Sequence, residues 1–314
     1  MKIGIVGYGN LGKALLECAG ASEGVEVIGV FSRRSVNLGE VPVFSQEELR
    51  DFDGKIDCLL LALGSSSDLP RDTARFARGF NVVDSFDNHA KIKEHYLRVD
   101  AAAKEGGHTA IISSGWDPGL LSIIRLFGKS FLEEAARISS FWGRGVSQGH
   151  SEAIRKIPGV KMAVQYTVPR EEAINEALLG KAPVGAKASH IRECYVVAEA
   201  GREAEIEEKI KSIPEYFLGY ETKVFFVGEE EFLKNHLTSY HGGRVVSFGR
   251  TGKSASAAMD FKLKMDSNPA FTAGIMLAYA RAAKRLYELR DFGAKTVFDV
   301  PPSMLFDGEL FKLL

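Results

Sequence analysis

The 314-residue chain is 45% hydrophobic, long enough to bury one large core and to hold two domains. Its 40 Lys+Arg against 41 Asp+Glu leave a formal net charge of -1, which excludes a global basic field for nucleic acid or an anionic membrane and makes any anion site local. Cys18, Cys58 and Cys194 lie far apart without zinc or disulfide spacing, and no signal-peptide core or membrane-length apolar run occurs, so a reduced, cytoplasmic protein without a metal is expected.

In chain order, Ile3 to Val6 reads as a short buried strand, Gly7-Tyr8-Gly9-Asn10-Leu11-Gly12 as a glycine turn, and Lys13 to Cys18 as a helix. Val25 to Ser32 is the next strand. Cys58 to Leu63 is the third, followed by the polar turn Gly64-Ser65-Ser66-Ser67-Asp68 and by Pro70, where a helix can begin. Asn81 to Ser85 makes a fourth strand, His89 to Lys104 a helix and Thr109 to Ser113 a fifth strand. This alternation predicts an α/β fold, a doubly wound parallel sheet of the Rossmann type.

After Trp116-Asp117-Pro118-Gly119 the rhythm changes. Strand-like runs at Arg137 to Trp142, Ala188 to Ala198 and Glu221 to Val227 predict a second, mixed α+β domain. Phe271 to Leu289 reads as a long amphipathic helix able to pack back onto the first sheet. The expected boundaries are 1–118 completed by 269–314, with 119–268 inserted for substrate binding and dimerisation.

The spacing of Gly7, Gly9 and Gly12 has a mechanical reason. The first permits a tight turn, the second lets backbone approach a pyrophosphate, and the third lets helix meet strand, while the helix N-terminus attracts the diphosphate. A glycine turn alone is weak evidence; placed between a strand and a helix, it predicts a dinucleotide. An acidic residue at the end of the second strand would hold the ribose 2′-hydroxyl and repel a 2′-phosphate. This chain has Ser32-Arg33-Arg34 there, a hydroxyl and two guanidinium groups suited to phosphate, so NADP is expected over NAD. An isolated Arg pair would read only as a solvated basic turn.

Leu63, Ser85 and Ser113 end their strands at one edge of the sheet, where open α/β folds bind ligands. Ser85-Phe86-Asp87-Asn88-His89 and Ser114-Gly115-Trp116-Asp117-Pro118-Gly119 each put a carboxylate beside an aromatic ring at that edge, a pair suited to a cationic amine. Alone, Asp117 could be a helix cap ahead of Pro118, and Asp87 an Asx turn with Asn88.

Along essentially its whole length the sequence resembles the meso-diaminopimelate dehydrogenase family. The match is carried by Val6 to Gly12, Phe31-Ser32-Arg33-Arg34, Asp87-Asn88-His89, Gly115-Trp116-Asp117-Pro118-Gly119, Phe141-Trp142-Gly143 and Ser147-Gln148-Gly149-His150-Ser151. It continues through Ile157-Pro158-Gly159-Val160, Gln165-Tyr166-Thr167, His241-Gly242-Gly243 and Asn268-Pro269, and is weaker over Glu171 to Lys187 and Lys253 to Phe261.

The resemblance implies a homodimeric enzyme of lysine synthesis that reversibly oxidises the D centre of meso-2,6-diaminopimelate with NADP, giving L-2-amino-6-oxopimelate and ammonia. It implies D-end contacts at Asp87 and Asp117, flanked by Trp116, Trp142, Gln148 and Gly149, and distal L-end contacts at Thr167, Arg192, His241 and Asn268. His241, before two glycines, is expected in a mobile loop. Besides the glycine turn and Ser32 to Arg34, the expected cofactor contacts are Leu63-Gly64-Ser65-Ser66-Ser67, Ser85-Phe86-Asp87 and Trp116-Asp117-Pro118-Gly119-Leu120. Two alternatives share the glycine turn. One is another NAD(P)-dependent dehydrogenase or reductase of this architecture, which should lack the Trp116 to Gly119 and Gln148 to His150 segments; the other is a non-catalytic NADP-binding regulator, which has no need of paired carboxylates.

Overall fold

Lys2–Val6 forms β1 of the computed structural model, which describes residues 1–133, 135–214, 216–238 and 240–314. There follow α1 (Asn10–Gly20), β2 (Glu26–Phe31), β3 (Val43–Phe44), β4 (Cys58–Leu61), α2 (Asp68–Ala77), β5 (Val82–Asp84), α3 (Ile92–Gly106) and β6 (Thr109–Ile111). After α4 (Leu120–Phe131) come β7 (Arg137–Trp142), β8 (Gly145–Val146), α5 (Gln148–Arg155), β9 (Val160–Pro169), α6 (Glu171–Leu178) and α7 (Ala186–Ser189). Then β10 (His190–Ala198), α8 (Glu203–Ser212), β11 (Glu221–Phe226), α9 (Glu229–Asn235), β12 (His241–Thr251) and β13 (Ala255–Met265) lead to α10 (Asn268–Glu288) and β14 (Gly293–Lys295). The chain divides into two compact units, Met1–Ile123 with Pro269–Leu314, and Ile124–Asn268.

The first unit is built on a seven-stranded parallel sheet in the order β14-β6-β5-β4-β1-β2-β3. Central β4 is apolar throughout, and β1 and β5 are apolar except for Lys2 and Asp84 at their ends, because both faces are covered. Ile3, Ile5, Leu60 and Val83 meet Leu15 of α1 and Ala273, Met276, Leu277 and Ala280 of α10 on one face. Val6, Leu59, Leu61 and Val82 meet Leu69 and Phe76 of α2 and Val99 of α3 on the other. Each such fully buried side chain stabilises the fold by about 1.5–3 kcal/mol. The strand order runs outward in opposite directions from β1, which opens a crevice at the carboxyl ends of β1 and β4.

The second unit holds a mixed four-stranded sheet, β11-β10-β9-β8, and a three-stranded antiparallel sheet, β13-β12-β7. Ile154 of α5 and Ile206 and Ile210 of α8 cover Ala163, Cys194 and Val196 of the first of these. The expected loop at His241 is instead the start of β12, and His241 is buried, 7% exposed. Glycine serves close packing around this strand start: a Cβ on Gly242 would stand 2.8 Å from the Leu263 carbonyl oxygen, and one on Gly145, in β8, 2.4 Å from the His241 Cα. No helix among the described residues is long and apolar enough to cross a membrane.

Candidate active site

At the end of β1, Gly7 adopts φ 96, a conformation that favours glycine, and a Cβ there would stand 2.5 Å from the Ala62 carbonyl oxygen. A Cβ on Gly12 would lie 2.2 Å from the Gly7 carbonyl oxygen, whereas Gly9 faces open space. Gly9 caps α1 without a side chain, and the helix has no acidic residue in its first turn. Its first N–H groups therefore face outward for an anion, and the cradle fits a nucleotide diphosphate.

Beyond β2, Ser32 Oγ accepts the Arg34 N–H at 3.1 Å, turning the chain so that Arg33 and Arg34 are both exposed. The Arg33 guanidinium forks onto Asp68 at 3.3 and 2.9 Å, and Arg71 reaches the same carboxylate at 3.0 Å. Asp68 thus anchors Arg33 from the first turn of α2. Arg71 adds a cation that the sequence reading left unassigned, and the signal was its place one turn into α2 beside Asp68.

The loops after β5 and β6 carry the two acidic candidates. Asp87 is exposed, Asp117 is half-buried and Trp116 is buried. The loops approach closely, since a Cβ on Gly115 would be 3.9 Å from Ser85 Cβ. Phe86, expected at the edge, is instead turned into the core, 1% exposed, and stacks on His95 with ring centroids 4.3 Å apart. Ser85, Gly64, Ser65, Ser66, Ser67 and Leu63 line the neighbouring strand ends at intermediate or full exposure, and Pro118, Gly119 and Leu120 lead into α4. Asp84, overlooked in the sequence, sits beneath both loops and is fully buried, its Oδ1 accepting the Phe86 and Ser113 N–H groups at 3.0 and 2.8 Å.

In the second unit, Thr167 of β9 and Arg192 of β10 stand opposite each other, and Arg192 Nη1 donates to Thr167 Oγ1 at 2.6 Å. Arg192 is only 7% exposed and lies over the Tyr220 ring at 4.1 Å. Among the described residues it has no carboxylate partner, and its Nε is buried without a hydrogen bond. Burial pushes its pKa down, the mark of a cation removed from water without a counter-ion. Gln165, also missed in the sequence, donates to Thr167 Oγ1 at 3.4 Å and keeps a buried Oε1 without a partner. The Trp142 backbone N–H donates to His190 Nε2 at 2.9 Å, Gln148 and Gly149 are exposed at the start of α5, and Asn268 opens α10.

Three histidines of this unit are held neutral. Burial, with Arg192 and His241 as like charges, pushes His150 down to about 3; burial pushes His190 to about 4 and lowers His241. Because these folded-state values lie below the ordinary 6.5, the unfolded chain takes up protons first as pH falls. The histidine contribution to stability is then full above pH 6.5 and lost as pH falls from there toward 3. Urea unfolding across this range should show the decline, and His150→Asn should flatten it by at most about 1.4 kcal/mol per pH unit.

Residues 115–267 match the family model of the diaminopimelic acid dehydrogenase C-terminal domain. The sequence is 48% identical to the meso-diaminopimelate D-dehydrogenase of Acetivibrio thermocellus, covering 97% of this chain and 94% of that protein. The fold matches the structure of the C. glutamicum DAP dehydrogenase in complex with DAP with a TM-score of 0.93 at 39% identity, covering 100% of this chain and 98% of that one. It matches an engineered D-amino acid dehydrogenase bound to NADP+ with a TM-score of 0.87 at 38% identity, over 100% and 98% of the two chains. With identity of this degree running through both units, the chain belongs to the meso-diaminopimelate dehydrogenase family.

Proposed function

We propose that the chain reversibly deaminates the D centre of meso-2,6-diaminopimelate with NADP, giving ammonia and L-2-amino-6-oxopimelate, which cyclises to the tetrahydrodipicolinate of lysine synthesis. The observation that carries the substrate assignment is Arg192, a buried guanidinium beside Thr167 without a carboxylate partner among the described residues. Such a group costs several kcal/mol unless an anion joins it, and the distal carboxylate of a diamino diacid is that anion. The relative of known structure that carries DAP supports the same reading.

NADP, when bound, supplies the hydride acceptor for the D-centre carbon. The glycine turn and the start of α1 hold its diphosphate, and Ser32, Arg33 and Arg34 its 2′-phosphate. Asp87 and Asp117 position the reacting ammonium, and one of them, or a water they hold, removes its proton so that the nitrogen lone pair supports the carbon as it is oxidised. Water then displaces the nitrogen as ammonia. Thr167 and Arg192, with His241 and Asn268, bind the inert L-end, and that binding aligns the reacting centre. Three unpaired cysteines suit a cytoplasmic setting. The protein acts as a homodimer joined through the second unit, where β13 is an open edge strand with alternate residues exposed, a template for pairing.

NADP should be strongly preferred over NAD, and Arg33→Ala with Arg34→Ala should remove most of the preference, each bond being worth about 1.5–3 kcal/mol. Equal use of both cofactors by the unaltered protein would refute the phosphate site. Sedimentation equilibrium at micromolar concentration should give a dimer mass, and a monomer would count against the assembly. The two substrate ends should fail differently. Asp117→Asn should lower kcat steeply while NADP still binds, and Arg192→Met should chiefly raise KM for diaminopimelate. A short D-amino acid, with no distal carboxylate, should be less affected by Arg192→Met; equal losses on both substrates would break the assignment.

A further inference from the structure

Asp84 ends β5 with 0% exposure, and its carboxylate is bonded from four separate segments. Oδ1 accepts the N–H of Phe86, in the loop after β5, at 3.0 Å and that of Ser113, at the exit of β6, at 2.8 Å. Oδ2 accepts the Thr73 hydroxyl of α2 at 3.1 Å and meets His95 Nε2 of α3 at 2.7 Å. A carboxylate offers about four acceptor sites, and these contacts fill them. His95 Nδ1 is buried without a partner among the described residues, which assigns the ring proton to Nε2 and makes His95 a donor to Asp84.

The bonds reach further than the carboxylate. The Asp84 carbonyl oxygen accepts both the N–H and the hydroxyl of Ser114 at 2.9 Å. Ser113 itself adopts φ 54, a left-handed conformation that is strained for a non-glycine residue unless its surroundings hold it. Here Asp84 Oδ1 supplies that hold. His95 fixes Phe86 a second time by stacking on its ring. Asp87 directly follows Phe86, and Asp117 lies on the loop that Ser113 opens, so both loops hang from one oxygen atom.

We propose that Asp84 is a positioning residue for the reaction: through Phe86 and Ser113 it sets the spacing of Asp87 and Asp117, while His95 and Thr73 lock its own orientation. The inference rests on the reading that Asp87 and Asp117 act on the reacting amine. Asp84→Ala removes all four carboxylate bonds. Asp84→Asn can keep its amide oxygen on the two backbone N–H groups and turn its NH2 toward Thr73 and His95, whose hydroxyl and second tautomer can accept.

In steady-state assays with diaminopimelate and NADP, Asp84→Ala should lower kcat about a hundredfold, the scale of a 1 Å misplacement. KM and NADP affinity should stay within about threefold, and Asp84→Asn should recover kcat to within about tenfold of the unaltered enzyme. If Asp84→Ala does not fold, Thr73→Val and His95→Phe remove the two Oδ2 supports, and each should lower kcat about tenfold with KM unchanged. Overturning results are an unchanged kcat in a folded Asp84→Ala or in both support variants, or an Asn variant no better than Ala with kcat, KM and NADP affinity all impaired together. Asp117→Asn assayed alongside separates the two ideas. A loss there with none in Asp84→Ala removes Asp84 alone, whereas an unchanged Asp117→Asn removes the carboxylate reading on which it rests.

Discussion

Parallel strands cannot be joined by tight turns, so each must be followed by a crossover that returns the chain to the starting edge. All the carboxyl ends of the sheet in the first unit therefore share one rim, and every loop that leaves it starts among backbone groups the sheet no longer pairs. The rim settles these groups in two ways. Between β1 and α1 the glycines make the turn so tight that there is no room for a Cβ on Gly12, leaving helix N–H groups for an anion. At β5 and β6 a buried carboxylate takes the N–H groups instead, and the loops carrying Asp87 and Asp117 start from fixed points. One rim thus holds a flexible-looking turn that is sterically determined and two irregular loops that are polar-determined.

The second unit solves a different problem, holding charge away from water. Arg192 sits in a strand with Thr167 and Tyr220 for company and histidines kept neutral around it. A neighbouring carboxylate would have stabilised the empty protein more and left nothing for a ligand to do. Instead the second unit keeps a buried guanidinium without a carboxylate partner among the described residues, the feature on which the proposed substrate assignment rests.

What the sequence made legible follows the range of the physical cause. Gly12 answers to a contact inside one strand-turn-helix unit, the Gly7 carbonyl, and Gly7 to its own positive φ, so the geometry of the turn was legible at short range, with Ser32 to Arg34 at a fixed offset from it. The alternation of apolar strands and helices revealed the parallel sheet. Asp117 stood out by its place beside Trp116 at the sheet edge, with a helix cap as its ordinary alternative, whereas Arg192 came only from the family resemblance. Asp84 stayed hidden because its partners Thr73, His95 and Ser113 belong to three other segments, joined only by folding. Phe86 looked like an edge aromatic because sequence does not tell which way a loop ring turns. At His241 the glycine pair suggested a loop, whereas strand-to-strand crowding against Leu263 requires Gly242.

The discontinuity of the first unit has a consequence for how the chain is made. The chain leaves that unit at Ile123 and returns at Pro269, and β14 pairs with β6 across that interval, Gly293 against Thr109. During synthesis the edge of β6 stays unpaired, and the sheet face later covered by Ala273, Met276 and Leu277 stays bare, until residues 269–295 emerge from the ribosome. The intervening unit is contiguous and can close its own core first. The nucleotide-binding half, though begun first, is completed last, and its closure waits on contacts of high sequence separation. Its exposed edge and apolar face are the surfaces a chaperone would have to shield in the meantime.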